Sequence, residues 1–384
     1  MKLSIDKELL IKAINMVVKI ADKHHRVAIL GNIKLELSEE SLVLTASDLE
    51  VELTTALALP QGACVQAGTT TLPAEKFFSV CKAVAGDVLH LDATGSRCVI
   101  GGEKGKYTLK ALPAEDFPSI GAPSQTTTLN VNRHALFDLI NHTRFAMATQ
   151  DVRHYLTGML FEIIGDKLTA VATDGHRLAV AHRALDESYD EKRIIIPGKA
   201  VGELERLLTE LVRDGSEHDV VSLGFDDEML QVSLNFGADS EYHGMSALLT
   251  ARLIEGKFPD YRRVIPNNIE RVALFDKEEA VDVLRRLSVL NSKEAPGVLL
   301  DFAKEDSVTI SVRNREQDEA EEVMSVQYTG EPLELSFNEA YLRAVLRVLD
   351  GEIYLGMTQA TSPTLIYQVG DEMNHQYVVM PMRV

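Results

Sequence analysis

Apolar positions along the chain follow two rhythms that alternate three times over. A short strand-like run ending in Asp or Asn opens each round: Leu3-Ser-Ile-Asp6, Leu129-Asn-Val-Asn132 and Ala273-Leu-Phe-Asp276. The closing residue is of the kind that caps a helix, its side-chain oxygen accepting from the first unpaired amides. Helical spacing follows in each case. Leu9, Leu10, Ala13, Ile14 and Val17 recur every three or four residues, as do Leu136, Leu139 and Ile140, and then Val281, Leu284 and Leu287.

Next comes a pair of alternating segments separated by polar turn residues, the signature of a hairpin. The pairs are Ile33–Leu37 with Leu42–Ala46, Gly158–Glu162 with Leu168–Ala172, and Val298–Phe302 with Val308–Val312. A second helix is predicted at Pro73–Val84, Pro197–Leu211 and Asn338–Leu349, the first two opening on a proline suited to the first helical position. Further alternating strands end at Leu112-Pro113, Phe258-Pro259 and Met380-Pro381. The pattern predicts an α+β chain of three similar domains, 1–121, 129–264 and 271–384, each with two helices and many antiparallel strands. Turn-forming residues mark linkers at 122–128 and 265–270.

Composition narrows the class. The chain, at 384 residues, is too long for one ordinary core. It contains no apolar run near the ~20 residues of a membrane helix. Its first residues, Met-Lys-Leu-Ser-Ile-Asp, carry charge where a signal peptide is apolar, so a cytoplasmic protein is expected. Cys64, Cys81 and Cys98 are few and far apart, which predicts buried small hydrophobes rather than disulfides or a zinc site. Neither metal nor cofactor is expected.

A net charge of −19 weighs against phosphate binding unless charge is segregated. It is segregated: the six helical segments together carry about +3 and the remainder about −22. Solvated helix faces account for this equally well as a helix-lined surface turned toward an anion, with an acidic exterior. If the helices line a ring, packing at 8–10 Å means six leave no room for duplex DNA, whereas twelve leave a hole of ~21–28 Å. A ring around a duplex therefore needs two copies.

Four segments carry a family likeness: Gln150-Asp-Val-Arg-His-Tyr-Leu-Thr-Gly-Met-Leu-Phe161, Ala172-Thr-Asp-Gly-His-Arg-Leu-Ala-Val180, Phe258-Pro-Asp-Tyr-Arg-Arg263 and Tyr377-Val-Val-Met-Pro-Met-Arg-Val384. With Ile29-Leu-Gly-Asn32 and the matching domain order, the whole chain resembles the bacterial sliding DNA clamp, the β subunit of the replicative polymerase. The resemblance implies a head-to-tail homodimeric ring, helices inside and sheets outside, that encircles DNA without sequence preference. It implies a processivity factor that tethers the polymerase α subunit, the clamp loader, other DNA polymerases and repair proteins.

It also implies sites. Partner peptides would enter an apolar pocket walled by Leu156, Thr173, Gly175, His176, Arg177, Leu178, Pro259, Arg263 and Val264. From the third domain it would add Asn338, Tyr341, Thr361, Pro363, Val379, Met380, Pro381, Met382 and Arg383. Apolar residues supply area there and Arg and Asn orient the peptide. Lys12, Arg26, Lys76, Lys82, Arg144, Gln150, Arg153, His154, Tyr155, Lys199 and Arg206 match or neighbour DNA-facing positions. The chain departs from the family's pattern at Glu75, where relatives are basic, and at His24-His25-Arg26. The dimer seam would pair the edge strand Lys106–Lys110, with Tyr107 and Leu109, against a helix bearing Arg286, Val289 and Leu290. The acidic run Glu316–Glu322 would meet lysines across that seam or form a solvated turn.

Two alternatives stand beside this reading. One is a clamp-fold scaffold in transcription or repair. The other is a hydrolase using Asp174 and His176, against which the chain offers no nucleophile elbow and no metal-binding His pair.

Overall fold

The computed structural model describes residues 1–124, 127–213, 220–237, 240, 242–291 and 296–382. The three opening strands, Lys2–Asp6, Thr127–Asn132 and Arg271–Asp276, each run directly into a helix: α1 Lys7–Val17, α3 Arg133–Thr143 and α5 Lys277–Leu287, with α2 at Ala74–Ala83 between the first two. Each expected cap is made. Asp6 Oδ1 accepts from Leu9 N at 2.9 Å, Asn132 Oδ1 from His134 N at 2.9 Å, and Asp276 Oδ1 from Glu279 N at 3.0 Å. The other helices are α4 Gly198–Arg213 and α6 Glu339–Leu346. The prolines precede their helices by one position: Pro73 is the N-cap of α2, and Pro197 closes the strand before α4.

Most of the periodic positions become buried faces. Leu10, Ala13, Ile14 and Val17 of α1 and Leu284 and Leu287 of α5 are buried, whereas Leu9 and Val281 are half-buried. Ala280 and Val283 complete the buried face of α5. Each buried Leu, Ile or Val among them contributes about 1.5–3 kcal/mol by leaving water.

The chain divides into two compact units, Met1–Phe137 with Lys199–Ile254, and Asp138–Gly198 with Glu255–Val384. The first holds a five-stranded sheet and an eight-stranded one. The five-stranded sheet runs Cys64–Gln66, Lys2–Asp6, Val88–Thr94, Arg97–Gly101, Lys106–Lys110. In the eight-stranded sheet, Met245–Arg252 pairs with Val51–Ala58 in antiparallel register, Leu249 opposite Leu53. The second unit holds a seven-stranded sheet and a four-stranded one, the latter ending at Glu319–Ser325 and Leu333–Asn338. Its core includes Leu284, Leu300, Phe302, Ile310, Leu346 and Ile366.

The first and third predicted hairpins form as expected, with Leu35 opposite Leu44 and Leu300 opposite Ile310. The second does not. Gly158–Thr173 is one long strand, and its partner is Arg177–Pro197. The polar stretch Gly165-Asp166-Lys167 is a bulge, at which the register shifts and Gly165 takes φ 61°, rather than a turn.

Candidate functional site

The turn that does close this long hairpin builds the wall of a cleft. Asp174 Oδ1 accepts from His176 N at 2.9 Å and Arg177 N at 3.0 Å, while Arg177 Nε donates to Oδ2 at 3.1 Å. Thr173 Oγ1 donates to Arg177 O at 2.6 Å, and Gly175 supplies the left-handed φ of 86° that the turn requires. Arg177 is thereby fixed over the rings of Tyr341 and Phe145, at 4.7 and 5.4 Å from their centroids. His176 lies against Tyr341 at 6.0 Å.

The strand His375–Val379 pairs beside this wall with Val378 opposite Leu178, and Met380 N donates to His176 O at 2.8 Å. Short 3-10 turns at His154–Leu156 and Tyr261–Arg263 close the other sides. The result is a cleft of about 210 Å³ lined by Leu156, Leu178, Pro259, Val264, Val378 and Met380, with Arg153, Thr173, His176 and Arg177 at its polar margin. Tyr261 and Gly175 complete the lining. Such a volume fits a few apolar side chains held by flanking polar groups.

Nine of the expected pocket residues therefore meet here: Leu156, Thr173, Gly175, His176, Arg177, Leu178, Pro259, Val264 and Met380. Tyr341 backs the wall through Arg177 and His176. The others lie elsewhere. Arg263 opens onto a neighbouring cleft, Val379 is buried in the core, and Asn338 caps α6 through a 3.0 Å bond from Ala340 N. Met382 is tied by its amide to Ser336 O at 2.7 Å. Thr361 is exposed, and Pro363 and Pro381 are half-buried outside the lining. Arg383 falls outside the described residues. Sequence reasoning missed Val378 and Tyr261, and assigned Arg153 to DNA.

The chain matches the DNA polymerase III beta subunit in three consecutive family models: the N-terminal domain over residues 1–121, the central domain over 130–260 and the C-terminal domain over 262–383. The chain belongs to the family of bacterial β sliding clamps. That family is a non-catalytic processivity subunit of the polymerase. The "Beta sliding clamp" of Vibrio cholerae is 36% identical over 100% of both chains, and that of Escherichia coli is 34% identical over 100% of both. A crystal structure of the Pseudomonas aeruginosa sliding clamp bound to griselimycin superposes over 100% of both chains with TM-score 0.90 at 32% identity.

Membership of the clamp family also corrects the hydrolase alternative. The Asp174 carboxylate is consumed by the turn's amides and by Arg177, so it is a structural group rather than a base.

The expected DNA-facing residues of this clamp are mixed in their bonding. Lys76 and Lys82 are exposed on α2, with the Lys82 ammonium 4.0 Å from the Phe78 centroid. Arg26, Arg144, Gln150 and His154 are exposed, and Lys12 and Tyr155 half-buried. Others are held by acids. Lys199 pairs with Asp48, Arg206 with Glu203 at 2.8 Å, and Glu75 at the helix start pairs with Lys23 at 2.9 Å. Arg153 is held by Asp151, whose carboxyl that bond brings down to about 2.

At the expected seam, Lys106–Lys110 is an edge strand with Tyr107 exposed and Leu109 half-buried. Val289 is 82% exposed, whereas Leu290 packs against its own domain's core. Glu322 is already engaged by Arg286 of the same chain, Nη2 to Oε2 at 2.6 Å, so it is not a free acid awaiting a lysine.

Asp138, His142 and His375 are the one group of potential metal ligands that converge among the described residues. They do not suit a metal. The two imidazoles stack at 3.9 Å and 17°, so their in-plane lone pairs run side by side, and Arg183 already pairs with Asp138. The group is a polar joint: His142 Nδ1 meets Tyr377 Oη at 2.9 Å and His375 Nε2 meets Asp138 Oδ2 at 3.0 Å. Burial, then His375, pushes the His142 imidazole down to about 4. No helix among the described residues is long and apolar enough to cross a membrane.

Proposed function

We propose that two copies of this chain close head to tail into a ring around duplex DNA. The ring slides in the cytoplasm and tethers the polymerase and other replication and repair proteins through the Leu178–Met380 cleft. The observation that carries this reading is the match of all three clamp domains in order along the chain. The edge strand Lys106–Lys110, with Tyr107 exposed, and the exposed Val289 just past α5 supply the surfaces for the seam. The apolar cleft with fixed Arg177 suits a short Gln- and Leu-containing peptide, whose apolar side chains it would bury while its rim orients the backbone.

The test is topological. Loaded by its loader, the protein is expected to stay on nicked circular DNA in salt that disrupts phosphate contacts, and to leave once the circle is cut. Equal salt-sensitive loss from circles and linear DNA would refute the ring.

A further inference from the structure

Next to the peptide cleft lies a larger one of about 820 Å³, and the two share Pro259 and Tyr261 as walls. Its charge runs against that of the chain. Arg193, Lys257, Arg262 and Arg263 line it, against Glu162 and Asp260, in a molecule of net charge −19. Allowing for Glu191, which takes Arg193 Nη2 at 3.1 Å, a cationic surplus remains.

The buried Glu162 organises these cations. Its side chain is 2% exposed, and its two oxygens accept from Arg193 Nε at 2.9 Å, from Tyr261 Oη at 2.9 Å and from Arg262 Nη2. Arg262 is further seated over the Tyr261 ring at 4.6 Å. Both arginine side chains remain about half exposed, at 52% and 50%, so one edge of each guanidinium is anchored and the rest is in water. A guanidinium has five donors in a rigid plane, and one already pinned loses little freedom on taking a second carboxylate. Lys257 has no carboxylate partner among the described residues.

We propose that this cleft is a second subsite for partner proteins, taking acidic side chains that flank the apolar peptide motif. The inference rests on the peptide reading of the first cleft and deepens it. Continuity favours a peptide over a nucleic acid. An extended chain advances about 3.3 Å per residue, so a segment leaving the first cleft past Pro259 and Tyr261 delivers its next few side chains to Arg262, Lys257 and Arg193. Anchored guanidiniums and an unpaired ammonium then read charge rather than shape.

The experiment uses the full-length dimer and labelled peptides in fluorescence anisotropy: a Gln- and Leu-containing core, and the same core with three Glu or three Gln added at either end. Three Glu at one end are expected to tighten binding about tenfold at low salt, with three Gln giving no gain. That gain is expected to shrink as salt rises and to vanish in Lys257→Glu and Arg262→Gln, while the core peptide binds Lys257→Glu as it binds wild type. Equal affinity of Glu- and Gln-extended peptides, or a gain that survives both substitutions, overturns this inference alone. Failure of the core peptide to bind overturns the peptide reading and this inference with it. A short single-stranded oligonucleotide that abolishes the Glu-dependent gain at concentrations where the Glu tail alone does not compete assigns the cleft to nucleic acid and overturns it too.

Discussion

Arg153 stands on the wall of the apolar cleft with its guanidinium clasped by Asp151, Nε to Oδ1 at 3.0 Å and Nη2 to Oδ2 at 2.7 Å. It faces Gly175, where an added Cβ would come within 3.3 Å of Nη2. That position borders the cleft in which the peptide is proposed to lie. Arg153→Ala is expected to weaken core-peptide binding by about fivefold while leaving retention on nicked circular DNA unchanged. Anisotropy and gel filtration of the loaded clamp check the two halves; loss of retention with unchanged peptide binding would return Arg153 to the DNA track.

Met380 supplies apolar area at the cleft floor. Substituting Met380→Asp removes apolar area that protein and peptide would bury together, on the order of 100 Å², at ~25 cal/mol per Å² about 2.5 kcal/mol, or roughly 60-fold in affinity. The peptide should become unmeasurable at low micromolar protein while sedimentation still reports a dimer. Binding within threefold of wild type would place the pocket elsewhere.

Val289 and Leu290 are neighbours with different work to do. Val289→Asp is expected to shift the dimer toward monomer with the protomer's melting temperature unchanged, because Val289 is exposed in the isolated chain. Leu290→Asp should also lower the melting temperature by several degrees, since it introduces a carboxylate against the core. Sedimentation with calorimetry separates them, and a Val289→Asp protein that remains dimeric removes this residue from the seam.

Stability should fall on mild acidification. His142 and His182 are both pushed down to about 4 by burial first, then by His375 and Lys167 respectively, against an unfolded value near 6.5. Between those values the unfolded chain binds protons that the folded chain refuses. Their contribution is therefore complete above pH 6.5 and is lost as pH drops toward 4, by up to about 1.4 kcal/mol per unit for each. Urea midpoints measured from pH 7 to 4.5 should decline, and His142→Asn should flatten that decline. A slope identical to wild type in His142→Asn would exclude this imidazole as a source.

Much of the fold is legible in the sequence alone. The caps Asp6, Asn132 and Asp276 announced three helices because a capping side chain and a helical rhythm are both local signals. The failures were of another kind. Gly165-Asp166-Lys167 has turn chemistry, and only the distant pairing of Ile163 with Lys192 decides that the chain bulges instead. Val378 was findable: in a strand, residues two apart share a face, so Val378 goes with Met380 and cannot go with Val379, which lies in the core. Tyr261 was not, because its place depends on Glu162, 99 residues away. In the sequence Arg153 is a cation in an exposed loop that reads the same toward phosphate or peptide, and only its pairing with Asp151 sets it on the cleft wall.

The eight-stranded sheet has a consequence for how the molecule comes apart. Its ladder between Val51–Ala58 and Met245–Arg252 joins the region matched by the N-terminal family model to the region matched by the central one. The family models mark three consecutive domains, but the sheet is not divided where they are. Cutting at residue 121 would leave a raw, apolar strand edge on each fragment, Leu53 on one and Leu249 on the other, each a template for the wrong partner. Domain order and strand pairing follow different seams in this protein, and a fragment that respects the first violates the second.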